Sequence, residues 1–201
     1  MTMSAKVRSV ERLFKSLDKR IHQFQSTTRL QCAPGCGKCC QKPDIEASVL
    51  EFLPFAYHFY HENDFATVMK FVEAPESRIC KLFKPLVIES EKGFCGNYNN
   101  RGLICRLFGY SALRDKSGKP TMFTCSIIKS SPEYPETLAK LSDGLRIPFT
   151  ADYYKRLSQI DYGLANELLP VNAAIRRAIQ QVVQYYTYRP KIKPRNLKKA
   201  G

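Results

Sequence analysis

The sequence has no apolar run long enough to cross a bilayer, for which about 20 residues are needed. The opening stretch MTMSAKVRSVERLFKSLDKR also lacks the apolar core and the small-residue cleavage site of a secretory signal. We therefore expect a cytoplasmic protein without a membrane span. Structural disulfides are rare in that compartment, so any cysteines present need another explanation.

The motifs of hydrolytic and nucleotide-dependent enzymes are missing as well. The chain contains no nucleophile elbow, no H-E-x-x-H pair and no P-loop. It contains no internal repeat and no low-complexity block. We therefore assign no residue a catalytic role, and whether the chain is an enzyme stays open, with an iron–sulfur oxidoreductase as the class still compatible.

The composition is that of a globular protein with an excess of positive charge. Of 201 residues, 44% are hydrophobic, which is enough to bury a core within one domain. Thirty-two basic residues against eighteen acidic ones give a formal charge of +14. Such a charge favours anionic neighbours, such as nucleic acid, acidic proteins or lipid headgroups, but carries no information about the fold.

Apolar residues recur at helical spacing at both ends of the chain. Residues 1–29 predict an amphipathic helix that ends before the polar stretch Gln25–Thr28, and residues 129–188 predict a helical part of the same globule. Residues 189–201 carry six basic residues and two prolines, which is typical of a disordered tail making nonspecific anionic contacts. The two apolar stripes consist of Val7, Val10, Leu13, Phe14, Leu17, Ile21 and Phe24, and of Ala174, Ile175, Ala178, Ile179, Val182, Val183 and Tyr186.

The middle of the chain, residues 30–128, changes texture along its length. Ser48 and Glu51 have capping-box spacing before an apolar run, and Pro54 predicts a kink or a break. A short helix is predicted from Asp64 to Val72, with Asn63 as its cap. Further on, LICRLFGYSALRD and PTMFTCSII flank KSGK, a pattern that predicts a β-hairpin. The predicted fold is mostly α with a small irregular β-hairpin region, in one compact domain stapled by metal.

Cysteines are confined to this middle segment. None occurs in the first 31 or the last 76 residues, whereas core thiols would be spread with the rest of the core. Two of them are adjacent and cannot easily bridge to each other, which with the expected compartment argues against disulfides. The eight are Cys32, Cys36, Cys39, Cys40, Cys80, Cys95, Cys105 and Cys125.

The spacing of the first four cysteines indicates metal binding. Two or three residues between thiols let a turn direct successive sulfurs at one centre, and Gly35 and Gly37 supply the backbone freedom for it. Thiolates are soft ligands that select zinc, copper(I) or iron–sulfur clusters. Arg101 and Arg106 follow in sequence near the later cysteines, where they would lower thiol pKa values and contact the bound group. His58 and His61 are weaker candidates, since packing or surface roles are more common for such histidines.

One sharper possibility is excluded by its context. Cys32-x3-Cys36-x2-Cys39 has the spacing of the radical-SAM cluster motif. A helix rather than a strand is predicted before it, Lys38 replaces the usual aromatic, and no βα repeat follows. We therefore do not predict a radical-SAM barrel.

The two cysteine blocks together resemble the YkgJ-type cysteine-cluster family, described as a zinc- or iron-chelating domain. The resemblance spans about residues 30–128. It places one departure at Gly102, where the family has proline after the arginine, and this would loosen the turn without removing a ligand. It implies a metal and leaves the chemistry undefined. The matching residues are CAPGCGKCC at 32–40, Cys80, then Cys95, Tyr98, Arg101, Cys105, Arg106 and Phe108, with Cys125 as a later match.

From the residues and the resemblance we expect a single centre. It would use the first block together with Cys95 and Cys105, and the remaining thiols would be second-site ligands or core. The adjacent Cys39 and Cys40 side chains are expected to diverge, and Arg106 is expected to lie against the sulfurs. A 4Fe–4S cluster is favoured because the thiols are numerous and closely spaced. The alternative is Zn²⁺ in a structural interaction module whose basic surface would contact nucleic acid or another anionic partner. The partner would be an unidentified redox protein or another protein.

Overall fold

The computed structural model describes residues 1–42, 45–75, 77–87 and 92–189. Helices dominate, and the short strands form antiparallel pairs β1–β6, β2–β3 and β4–β5. Short 3-10 turns occupy Lys38–Gln41, Val49–Phe52 and Tyr98–Asn100. The helices are α1 (Met3–Thr28), α2 (Leu53–Glu62), α3 (Phe65–Glu73), α4 (Leu103–Leu107), α5 (Ser126–Lys129), α6 (Glu133–Ser142), α7 (Thr150–Ser158), α8 (Tyr162–Asn166) and α9 (Val171–Thr187); the strands are β1 (Glu46–Ser48), β2 (Phe83–Pro85), β3 (Gly93–Cys95), β4 (Ser111–Arg114), β5 (Pro120–Phe123) and β6 (Leu168–Pro170).

The core lies between the two long terminal helices and the elements that they enclose. α9 packs on α2 and α1 packs on α2, so α2 lies between the two terminal helices. The predicted apolar stripes are buried, apart from Val183, which is half-buried against the core. The mostly helical class with small antiparallel strand pairs is thus confirmed. No helix in the described ranges is both long and apolar enough to traverse a bilayer.

The predicted end of α1 is wrong by four residues, because the helix continues to Thr28. Thr28 is buried, and its hydroxyl donates to the carbonyl of Phe24 at 2.9 Å. Arg29 then takes a left-handed conformation, with φ of 61°, and its amide closes the helix on Gln25. Tertiary burial, rather than the polar composition of residues 25–28, sets this end.

The predictions around residues 48–64 are largely confirmed. Ser48 and Glu51 form the capping box, and Pro54 occupies the first turn of α2, where the 3-10 turn gives way to the α-helix. The predicted Asn63 cap is wrong by one position. Asp64 caps α3, since its carboxylate accepts the amide of Thr67 at 2.7 Å.

The predicted hairpin is present, but its flanks are helical. β4 and β5 pair across a turn in which the Asp115 carboxylate accepts the amides of Ser117 and Lys119. LICRL, interpreted as β-like, forms α4, because Leu103 and Leu107 are buried one helical turn apart. The proposed tail at 190–201 lies outside the described residues.

Candidate metal centre

The first four cysteines lie on a loop shaped by two glycines. Gly35 and Gly37 have φ of 67° and 58°, the left-handed region that glycine adopts readily. The amide of Cys40 donates to the carbonyl of Gly37 at 2.9 Å, which starts the 3-10 turn at Lys38–Gln41. A β-carbon on Gly37 would lie 2.4 Å from the Phe83 ring, so only glycine fits there. The loop therefore packs closely against strand β2.

The β2–β3 hairpin brings the second pair of thiols to this loop. The amide of Cys80 donates to the carbonyl of Cys40 at 2.8 Å, and the amide of Gly93 donates to the carbonyl of Gly35 at 2.8 Å. Cys95 lies in β3, opposite Phe83 of β2. These backbone hydrogen bonds place both cysteines beside the first block.

The third part of the site is α4, which carries Cys105. The carboxylate of Glu51 accepts the amide of Ile104 at 2.6 Å and the amide of Ser48 at 2.6 Å. Glu51 is fully buried, which raises its pKa to about 7. This side chain couples the turn before α2 to the start of α4 and thereby fixes the helix that presents Cys105.

Cys125 and Cys32 lie close enough for their charges to interact. Cys125 is the residue that precedes α5. The hydroxyl of Tyr110 accepts the amide of Cys32 at 2.6 Å, which attaches the start of the loop to the residue just before β4. Burial raises the pKa of Cys32 to about 11, and charges on Cys36, Cys39 and Cys125 add to the effect.

All eight cysteines are free thiols, and charge on Cys39 links five of the others to it in one constellation. Burial raises the pKa of Cys80, Cys95 and Cys105, and charge on Cys39 raises each one further. The same charge acts on Cys32 and Cys40. These six thiols therefore lie near one another with Cys39 as their common member, and Cys36 and Cys125 interact with Cys32.

Cys39 and Cys40 do not diverge, contrary to our expectation. The Cys40 thiol hydrogen-bonds to the sulfur of Cys39, which lowers the pKa of Cys39 and raises the pKa of Cys40. Consecutive residues of a 3-10 turn are about 120° apart, so both side chains can rotate toward each other. Cys39 is exposed and is the thiol favoured to ionise in this pair.

Two arginines place positive charge beside the thiols. The Arg101 guanidinium lies 3.9 Å from the Tyr98 ring centroid, and its charge favours the thiolates of Cys39 and Cys95. Its Nε is buried and has no hydrogen-bond acceptor among the described residues. A buried donor without an acceptor is costly, so this atom fits a site that gains an acceptor when occupied.

Arg106 is engaged mainly by the protein. It is 4% exposed, and it donates to the Asp18 carboxylate and to the carbonyls of Asn99 and Arg101. Its guanidinium also lies 4.5 Å from the Phe14 ring centroid. Charge on Arg106 still reaches Cys95, but the contacts assign it first to anchoring the 99–101 segment against α1. Its contact with a bound group stays a prediction.

The two histidines of α2 lie in other surroundings. Nε2 of His58 is 2.7 Å from the Glu11 carboxylate. His61 packs with the rings of Tyr57, Tyr60 and Tyr186. Both are placed as surface and packing residues, the roles favoured for them by the sequence.

The types of donor present fit a thiophilic metal ion or cluster, although the side chains do not converge on a common centre. In the described ranges, no three His, Cys, Asp or Glu side chains are arranged as a metal site. Cys39, the five thiols on which its charge acts, and the unpaired Nε of Arg101 supply soft ligands and one outer donor.

A family model matches residues 31–127, and its description is "Putative zinc- or iron-chelating domain", of the CxxCxxCC type. The match covers the segment that contains all eight cysteines, which we call the CxxCxxCC domain. No curated protein and no solved structure matches the chain. The CxxCxxCC domain begins just after α1 and ends within α5, so the long terminal helices that build the core lie outside it.

Sequence reasoning missed two carboxylates that support the CxxCxxCC domain. Asp18 of α1 pairs with Arg106, and Glu51 binds the start of α4. Nothing in the sequence links residue 18 to residue 106. The sequence predicted Glu51 only as part of the capping box with Ser48. Its hydrogen bond from the amide of Ile104 is apparent only from the fold.

Proposed function

We propose that the CxxCxxCC domain holds an iron–sulfur cluster of the 4Fe–4S type, serving electron transfer, redox sensing or a redox step. The observation that carries the proposal is the proximity of free thiols to Cys39, whose charge acts on Cys32, Cys40, Cys80, Cys95 and Cys105. When bound, such a cluster supplies a one-electron carrier whose potential depends on its thiolates and their hydrogen bonds.

Cys39, Cys95 and Cys105 are the ligands that we assign first. They come from the 3-10 turn, β3 and α4, which the backbone and Glu51 hold together. Arg101 would donate its unpaired Nε to the sulfurs and offset part of their negative charge. Arg106 would maintain the position of Arg101 by donating a hydrogen bond from Nε to the Arg101 carbonyl.

Structural zinc is the second candidate, and the distribution of the thiols favours it. Charge on Cys36 and Cys125 raises the pKa of Cys32, whereas charge on Cys80 and Cys105 raises the pKa of Cys40, and Cys39 acts on both. Two such thiol groups join segments remote in sequence, which is what structural zinc sites do. In that case the domain would be an interaction module.

The absorption spectrum of anaerobically purified protein separates the two candidates. An iron–sulfur cluster predicts a brown protein with a broad shoulder near about 400 nm that bleaches with dithionite. A colourless protein after expression with added iron, carrying stoichiometric zinc, would overturn the cluster and leave the zinc module.

A further inference from the structure

A groove rich in arginine runs along α1, away from the cysteines. One part, of about 540 Å³, lies between α1, the loop at 144–149 and α7, and contains Arg20, Arg146 and Arg156. The adjoining part, of about 290 Å³, contains Arg12 and shares Arg156. Arg156 therefore joins the two parts into one continuous surface, which we call the arginine groove.

The four arginines are free to meet a ligand. All four are exposed, and no carboxylate of the described residues lies within ion-pair distance of any of them. Arg12 donates to the hydroxyl of Ser9, and Arg156 lies 5.1 Å from the Tyr153 ring centroid. Asp152 is the one carboxylate in the lining, so the groove remains strongly positive.

The type of cation indicates the chemistry of the ligand. The chain has 18 lysines and 14 arginines, yet every cation lining the groove is arginine. The planar guanidinium pairs with phosphate through two parallel hydrogen bonds, which a lysine ammonium cannot do. Hydroxyls of Ser9 and Ser16 in the same lining can also donate to phosphate oxygens.

The dimensions favour a strand over a single phosphate. Arg12 and Arg20 are eight positions apart on α1, which corresponds to about 12 Å at about 1.5 Å per residue. Cations at both ends of that length, with Arg156 between the two parts, match several phosphates in a row. Duplex readers insert a projecting helix or ribbon into a groove of the nucleic acid, whereas here the cations line a concave surface.

We propose that the arginine groove binds the phosphate backbone of a single-stranded nucleic acid. The groove lies on roughly the opposite side of α1 from Asp18, the residue that anchors Arg106 near the thiols. Binding at this surface therefore leaves the CxxCxxCC domain accessible. The proposal does not depend on which metal that domain holds.

The test is fluorescence anisotropy of a labelled oligouridylate with the full chain, from about 50 to about 200 mM salt. The triple variant Arg12→Gln, Arg20→Gln and Arg156→Gln should bind at least about tenfold more weakly, with a salt slope smaller by about two. The control removes the same charge at exposed sites outside the groove, through Lys70→Gln, Lys116→Gln and Lys119→Gln. It should change affinity by less than about twofold.

Three results would overturn the proposal. Equal losses in both triple variants, or unchanged affinity in the groove variant, would assign binding to general charge or to the basic segment 189–201. Displacement of the oligonucleotide by polyglutamate at equal charge concentration would indicate an acidic protein partner instead. Tighter binding of the matching duplex would exclude a single-strand site. Ser16→Glu places a negative charge in the groove and should reproduce the loss if the triple variant folds poorly.

Discussion

The carboxylate of Glu51 accepts the amide of Ile104 at 2.6 Å, across 53 positions of sequence. The hydroxyl of Tyr154 lies 3.4 Å from the other carboxylate oxygen. This contact fixes the first turn of α4, and Cys105 is the next residue along it. The geometry of the thiol site thus depends on a buried acid that is not itself a cysteine.

Burial of Glu51 should make stability depend on pH. Its pKa is raised from 4.5 to about 7. Between these two pH values the carboxyl is therefore protonated in the folded chain and ionised in the unfolded chain. Its contribution is therefore fully present below about pH 4.5 and is lost as pH rises through 7, by about 3 kcal/mol. Urea unfolding of metal-free protein from pH 4.5 to 8 should show this decrease, and Glu51→Gln should lack it. The exposed Glu46→Gln is the control and should keep the wild-type slope; an unchanged slope in Glu51→Gln would contradict the assignment.

Gly102 should not tolerate a side chain. A β-carbon there would lie 2.8 Å from Oε2 of Glu51 and 2.8 Å from Cζ of Phe52, both buried and fixed. Gly102→Ala should therefore lower the free energy of unfolding by about 1–3 kcal/mol, the usual range for overpacking. Gly163→Ala, whose β-carbon would meet its nearest atom at 3.6 Å, should be neutral or stabilising. Equal effects of the two substitutions would show that Gly102 is not sterically required.

Arg106 should contribute more to stability than an exposed arginine. Arg106→Gln removes the partner of Asp18 and the donors to the carbonyls of Asn99 and Arg101. We expect a loss of about 2–4 kcal/mol and a lower metal content, because the Arg101 segment loosens. Arg114→Gln, which removes an exposed guanidinium over Phe149 and its exposed hydrogen bond to the carbonyl of Gly118, should cost less than about 1 kcal/mol. Similar losses in both variants, measured by urea unfolding, would contradict the anchoring role.

Cys39 should be the most reactive thiol of metal-free protein. The hydrogen bond from Cys40 and the charge of Arg101 lower its pKa, whereas burial raises the pKa of Cys105. Iodoacetamide labelling near pH 7, followed by peptide mass spectrometry, should modify Cys39 at least about tenfold faster than Cys105. Metal-loaded protein should protect both. Equal rates in the metal-free state would exclude Cys39 as the ionised centre of the constellation.

The sequence predicted the long amphipathic helices, because their apolar pattern extends over many turns. It also pointed to a cysteine-based site, because cysteine is a rare residue. The apolar stripes of α1 and α9 were visible because seven apolar side chains recur at helical spacing in each. Eight cysteines within one segment predicted the CxxCxxCC site in the same way. Both signals depend only on which residues occur and at what spacing.

What the sequence did not predict depends on contacts between distant residues. α4 is five residues long, and its apolar run is compatible with a strand until Glu51 binds its first turn. The end of α1 moved to Thr28 because that residue is buried against the core. The hydrogen bond between Cys39 and Cys40 depends on side-chain rotamers, which spacing alone does not determine.

The most direct test of the account is the iron, acid-labile sulfide and zinc content of anaerobically purified protein, measured beside Cys39→Ser. The account predicts about four irons and four sulfides per chain in the wild type, and less than about a tenth of that in the variant. Cys125→Ser should retain most of the iron, because the charge of Cys125 acts on Cys32. Stoichiometric zinc without sulfide in the wild type, or full iron content in Cys39→Ser, would contradict a cluster centred on Cys39.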